Sequence, residues 1–169
     1  GHRLSFDVRT LERDLRLEAL YEIPSFRRSD QKLVGRLELG RANTDAYDVS
    51  VASSELGVER TLKEGLTLGG ALGLRQSWES DDRSETYTHL YAPVQLALNR
   101  TNDHLDPTEG FRFNASATPY VELSGMDAVF VRAEAGISHY LPLDKDRDWV
   151  VASRLRLGMM PGVSQVGVP

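Results

Sequence analysis

Apolar and polar residues alternate with a period of two along almost the whole chain, most sharply in the segment Asn99–Glu122. Phe111, Phe113, Ala115 and Ala117 fall on one face there, and Arg112, Asn114, Ser116, Thr118 and Tyr120 on the other. That is the pattern of a β-strand with one apolar and one polar face. Asp106-Pro107-Thr108-Glu109-Gly110 introduces the strand. Proline cannot donate to a strand ladder and glycine reaches backbone angles closed to other residues, so the pair marks a tight turn. A chain patterned in this way must set its apolar faces against a protein core or against lipid.

The same period predicts an all-β antiparallel meander of roughly nine long strands in consecutive hairpins, with hardly any helical periodicity. Leu4, Phe6 and Val8 open the series, followed by Leu15, Leu17, Ala19, Tyr21 and Ile23, then Leu33, Gly35, Leu37 and Leu39. Tyr47, Val49, Val51 and Ser53 come next, and there the parity slips, because Leu56 and Val58 stand on the opposite register. The slip predicts a bulge or a strand end. Beyond it run Leu66 to Leu74, Thr88 to Leu98, the segment after Gly110, Val129 to Ile137, and Trp149 to Met159.

Strands of about 9–14 residues exceed the usual length in globular sheets and suit a tilted membrane crossing. Charge sits in mid-strand on the polar face, at Arg16, Glu18, Arg36, Glu38, Arg132, Glu134, Arg154 and Arg156. Aromatics gather at strand ends, at Tyr21, Tyr47, Trp78, Tyr87, Phe111, Tyr140 and Trp149, as in interfacial girdles. The 169 residues, 40% hydrophobic and 27% charged, contain no apolar run long enough for a transmembrane helix. A transmembrane β-barrel is compatible with that composition, since its strands alternate. A net charge of −5 argues against nucleic acid, which needs a clustered basic surface. Without cysteine, neither a disulfide framework nor a thiolate metal site can form.

No constellation points to catalysis, a cofactor or a metal. Asp144, Asp146 and Asp148 imitate the start of a calcium loop, but Trp149 stands where glycine is needed and Leu155 where a bidentate glutamate is needed. Asp103, His104 and Asp106 share one loop without a serine nucleophile in a strained turn. His89 and His139 have no ligand partners at metal spacing. Gly69-Gly70-Ala71-Leu72-Gly73 lies inside an alternating strand and opens no helix, so it is no nucleotide loop.

The run from Asp106 to Gly162 resembles the membrane barrel of the BamA/TamA superfamily, the bacterial surface antigen family. The resemblance rests on the turn Asp106, Pro107, Thr108 and Gly110, then on Tyr140-Leu141-Pro142-Leu143-Asp144-Lys145-Asp146, then on Trp149-Val150-Val151 leading into the Arg-rich Arg154-Leu155-Arg156. Tyr21-Glu22-Ile23-Pro24-Ser25-Phe26 is similar to a family loop motif, and the flavour is closer to the TamA branch. The resemblance implies a partial outer-membrane barrel of a Gram-negative bacterium. Its strands would be about the third to eleventh of about sixteen, within the known range of barrel sizes. It implies no enzyme and no cofactor, but insertion or translocation of client outer-membrane proteins such as autotransporters. Outer-membrane lipid would surround it, and a periplasm-spanning partner would be met through N-terminal POTRA domains. Residues 1–169 then read as a single fragment that lacks those domains and the first and last barrel strands. In such a barrel Arg154 and Arg156 point into the lumen, where Arg132 and Glu134 can pair with them as a charge network or where a folded-back loop can dock. A two-partner-secretion pore of the same superfamily, a passive porin and a soluble β-sandwich binding module are the alternatives.

Overall fold

The computed structural model describes residues 1–11, 14–43, 48–80, 84–125 and 128–163. Within them the strands are β1 (Arg3–Leu11), β2 (Asp14–Pro24), β3 (Gln31–Asn43), β4 (Asp48–Lys63), β5 (Leu66–Ser80) and β6 (Ser84–Tyr91). They continue as β7 (Val94–Thr101), β8 (Gly110–Glu122), β9 (Val129–Pro142), β10 (Val150–Met159) and β11 (Gly162–Val163). One antiparallel sheet holds them all, in the order β1-β2-β3-β4-β5-β6-β8-β9-β10, with β7 between β5 and β8 and β11 on β9.

β6 and β7 are one strand interrupted at Ala92-Pro93. Their register on β5 runs to Gly73↔Tyr91 and resumes at Gly70↔Val94 without a shift. β10 and β11 are likewise one strand on β9, broken at Met160-Pro161. The described chain therefore crosses the sheet nine times, up and down, as the alternation predicts.

Among the described residues the sheet has no second layer and hence almost no core. Among the described residues Val34, 8% exposed, is the one buried apolar side chain. Leu4, Phe6, Leu37, Leu39, Leu56, Leu72, Leu155 and Leu157 all stand on one face with more than half of their surface open. Such a contiguous apolar face on a single sheet demands an apolar partner, because exposed apolar area of this extent is not left in water. The other face carries the mid-strand charges. The division loosens only toward strand ends, where Arg41, Asp48, Arg60 and Arg100 share the parity of the apolar face.

Two local expectations are corrected. β4 shows no break between Ser53 and Leu56; its register on β3 is continuous from Asn43↔Asp48 to Gln31↔Arg60. Val49 and Val51 lie on the charged face, so Leu56 and Val58 reach the apolar face with no slip, and the irregularity comes only between Thr61 and Lys63. Reading both valines as outward produced the false bulge. Of the expected aromatic girdle, Tyr21, Trp78 and Phe111 take apolar-face positions and Trp149 stands 72% exposed just ahead of β10. Tyr87 and Tyr140 alternate onto the charged face instead, opposite Ser77 and Ala152. Tyr47 lies outside the described residues.

Glycines on β5 let side chains reach across a whole strand on the charged face. The Tyr91 ring lies over Gly73, where an added Cβ would stand 2.3 Å from its Cζ, and its hydroxyl comes within reach of Ser53 and Glu55 on β4. Gln95 passes over Gly69 in the same way, and its Nε2 donates to Glu59 Oε1 at 3.1 Å. Gly73→Val should therefore unseat Tyr91 and destabilise the sheet by about 1–3 kcal/mol, the usual cost of overpacking. Unfolding of the detergent-solubilised protein measures this, and in a Tyr91→Ala background the same substitution should cost clearly less. Equal costs in the two backgrounds would show that Gly73 does not serve as the ring's seat.

Candidate functional site

Among the described residues chemistry-bearing side chains converge chiefly on the charged face, where strand register positions them. On β1 to β4, bases and acids interleave across the strands. Lys32 lies between Glu22 at 3.2 Å and Glu59 at 2.8 Å, and Arg3 adds to Glu22 at 3.9 Å. Arg36 bridges Glu18 and Glu55, each at 3.1 Å, and Arg16 meets Glu38 at 2.6 Å. Through Gln95 and Tyr91 this lattice extends over β5 to β6 and β7. It satisfies its own charge, and each acid in it has a cation within reach.

The second half of the face is built differently. Arg132 and Glu134 pair along β9 at 2.5 Å. Arg154 Nε donates to Ser138 Oγ at 3.1 Å, directly across the strand pair. Arg156 sits opposite Gly136. The register thus places all four residues on one face, and among the described residues no ion pair joins either β10 arginine to Glu134. Nearer β5 an aromatic row crosses three strands: Tyr91 stacks on Tyr120 at 5.5 Å between centroids, and Tyr120 on Phe130 at 4.7 Å. His89 stands edge-on to Tyr120 and Phe130. This row was not anticipated, because Tyr91, Tyr120 and Phe130 meet only through pairing between strands remote in sequence.

The turn ahead of β8 is organised by two residues outside the Asp106, Pro107, Thr108, Gly110 motif. Asn102 Oδ1 accepts the Thr108 and Glu109 amides at 3.1 and 3.0 Å, and its Nδ2 donates to Thr108 Oγ1 at 2.7 Å. Asp103 Oδ1 accepts the Leu105 and Asp106 amides at 2.7 and 3.0 Å. Arg112 donates to the His104 carbonyl at 2.7 Å, which ties the loop to the charged face of β8. Gly110 has φ +101, and a Cβ there would lie 2.1 Å from the Arg100 carbonyl oxygen, so both backbone angle and space require glycine. Arg147, in the loop between β9 and β10, reaches Glu109 at 2.8 Å and joins the two turns at this end of the sheet. Asn and Asp acting on amides two to seven residues away are the recognisable signal, since these side chains mimic backbone turns.

The remaining candidates resolve into structure. Asp144 Oδ1 accepts the Trp149 amide at 3.3 Å within the β9–β10 loop. Among the described residues no group of three or more His, Cys, Asp and Glu side chains is placed to hold a metal ion. His139 pairs with Phe111 and Ser153 in the ladder. At the same end of the sheet, the Arg60 hydrogen bond holds the Asp30 carboxyl below its ordinary value.

The Asp106 and Leu105 amides hold the Asp103 carboxyl below its ordinary value of 3.8. A lowered value means the anchoring is complete above 3.8 and is lost as pH falls through the folded-state value. The Leu105 and Asp106 amide resonances should therefore titrate with a midpoint under 3.8. A midpoint at or above that value would contradict the contact.

The crystal structure of BamA from Haemophilus ducreyi lacking POTRA domains 1-3 is similar to this fold, with a TM-score of 0.83 at 16% identity, over 95% of this chain and 35% of that one. At that identity the likeness is one of fold, and this chain spans about a third of that relative. The match to the Omp85 superfamily domain extends over residues 1–169, the whole sequence. The chain belongs to the Omp85 superfamily.

Proposed function

We propose that this chain is wall from an outer-membrane barrel that inserts or translocates other outer-membrane proteins, autotransporters among them, in a Gram-negative bacterium. The observation that carries the reading is the division of the sheet. Leucines on one face are more than half exposed, and the opposite face carries cross-strand ion pairs. Lipid is the partner such a leucine face needs, and a water-filled lumen suits the charges. The superfamily match and the likeness to BamA support the assembly role.

In this reading the Asp106–Gly110 turn and the 143–149 loop form the periplasmic end, clamped together by Arg147 and Glu109. The ion-paired lattice on β2 to β4 is fixed scaffold. Arg154 and Arg156 supply positive charge to the lumen, where an acidic stretch of a packed-in loop would meet them. No bond in a client is made or broken. Work on it comes from perturbing lipid and offering strand edges, which extended segments join by main-chain hydrogen bonds.

The complete protein, expressed with its native leader, should fractionate with the outer membrane and migrate faster on a gel when unheated. A soluble protein without a mobility shift would overturn the barrel reading. Gly110→Val should lower the heat-modified transition by several degrees, roughly what a cost of 1–3 kcal/mol produces for strained backbone in a domain of this size. An unchanged transition would remove the turn from the structural role assigned to it.

A further inference from the structure

Three of the seven prolines, Pro93, Pro119 and Pro161, interrupt strands away from their ends, where a residue without an N–H breaks the ladder, whereas Pro24 and Pro142 are the last residues of β2 and β9. Their positions are correlated. Ala71 N donates to the Pro93 carbonyl at 2.9 Å, Ala92 N to Pro119 at 3.1 Å and Val131 N to Pro161 at 3.0 Å. In an antiparallel ladder each such pair exchanges two bonds, and here the proline cannot return the second. The carbonyls of Ala71, Ala92 and Val131 therefore each lose a strand donor.

Ala92, Pro119, Val131 and Pro161 form one cross-strand row, and the Ala71–Pro93 pair is displaced from it by a single residue. The gaps fall at the seams between β5 and β6/β7, between β6/β7 and β8, and between β9 and β10/β11. The β8–β9 seam stays intact. From β1 to β4 the ladder runs without interruption, and the ion-paired lattice covers it.

Two features adjoin the row. On the charged face a hollow of about 90 Å³ lies beside Ala71 and Pro93, lined also by Arg36, Glu55, Glu59 and Gln95. That is room and polar company enough for water to reach an unreturned carbonyl. One residue beyond the row, away from the Asp106–Gly110 turn, Tyr91, Tyr120 and Phe130 stack across β6, β8 and β9. The aromatic row holds those strand ends together as a body.

We propose that these three prolines, aligned to within one residue, form a transverse fold line, along which the part of β5 to β11 that lies beyond it from the Asp106–Gly110 turn flexes as one leaf against the rest of the wall. β1 to β4 remain stiff. The deformability is thus built into one side of the sheet, at a fixed level, by the absence of three amide hydrogens.

Hydrogen exchange on the complete protein in lipid nanodiscs tests this. Peptides covering Ala71, Ala92 and Val131 should exchange faster than peptides at equal depth in β2 to β4. Pro93→Ala, Pro119→Ala and Pro161→Ala should each slow local exchange by about fivefold, the equivalent of about 1 kcal/mol for a restored bond. Pro107→Ala, in the turn, should leave those peptides unchanged. Because the three substitutions are made singly, a variant that fails to give the folded gel mobility leaves two to decide. Equal protection across the sheet in the parent, or alanine variants that exchange as fast as the parent or faster, would overturn the fold line.

Discussion

Everything in this sheet depends on pairing its own backbone. Among the described residues no opposing layer packs on it, so burial between elements contributes little, and the ladder must carry the structure. In a membrane that requirement hardens, because an unpaired N–H or C=O has no water to turn to within hydrocarbon and costs several kcal/mol. Long strands in continuous register are the direct answer. β3 to β5, at 13, 16 and 15 residues, pair along nearly their full lengths with only the Thr61/Lys63 shift.

Side chains then settle what the ladder leaves open. An isolated exposed ion pair contributes little, but the lattice on β2 to β4 has each of Lys32 and Arg36 held between two acids on different strands. A register slip of one residue would carry all of these charges into the apolar face. The lattice therefore specifies register more than it adds stability. Gly69 and Gly73 extend the same device across β5, since Gln95 and Tyr91 can reach β4 only where no Cβ stands in their path.

Much of this was legible in the sequence, and for a definite reason. Alternation is local, so the strands, the apolar series from Leu4 to Met159 and the Pro107–Gly110 turn could be read from neighbours alone. Partnership is not local. That Arg154 meets Ser138, that Glu59 meets Lys32 and Gln95, and that Tyr120 stacks between Tyr91 and Phe130 follow from register between strands up to tens of residues apart. The misplaced bulge near Ser53 has the same origin. Valine was taken as a marker of the apolar face, whereas Val49 and Val51 occupy the charged one, where a barrel's interior tolerates aliphatic side chains near its ends. The turn-anchoring roles of Asn102 and of Asp103, which the sequence offered only as part of a catalytic group, were missed for another reason: they depend on side-chain rotamers that let one oxygen collect two amides.

Set against a ladder that must be complete, the three mid-strand prolines stand out as its one systematic exception. Scattered prolines would each cost a bond for no common effect. Aligned ones concentrate the loss where it changes mechanics, because bending a sheet across its strands meets least resistance where several seams are weak at one level. At one gap the surroundings ease the loss: the hollow on the charged face beside Ala71 and Pro93 is lined by Arg36, Glu55, Glu59 and Gln95 and has room for water to reach that carbonyl. They also make it directional. With Tyr91, Tyr120 and Phe130 joined on one side of the row and the lattice fixed on β1 to β4, the sheet can yield along the row more readily than anywhere else, without surrendering register on either side.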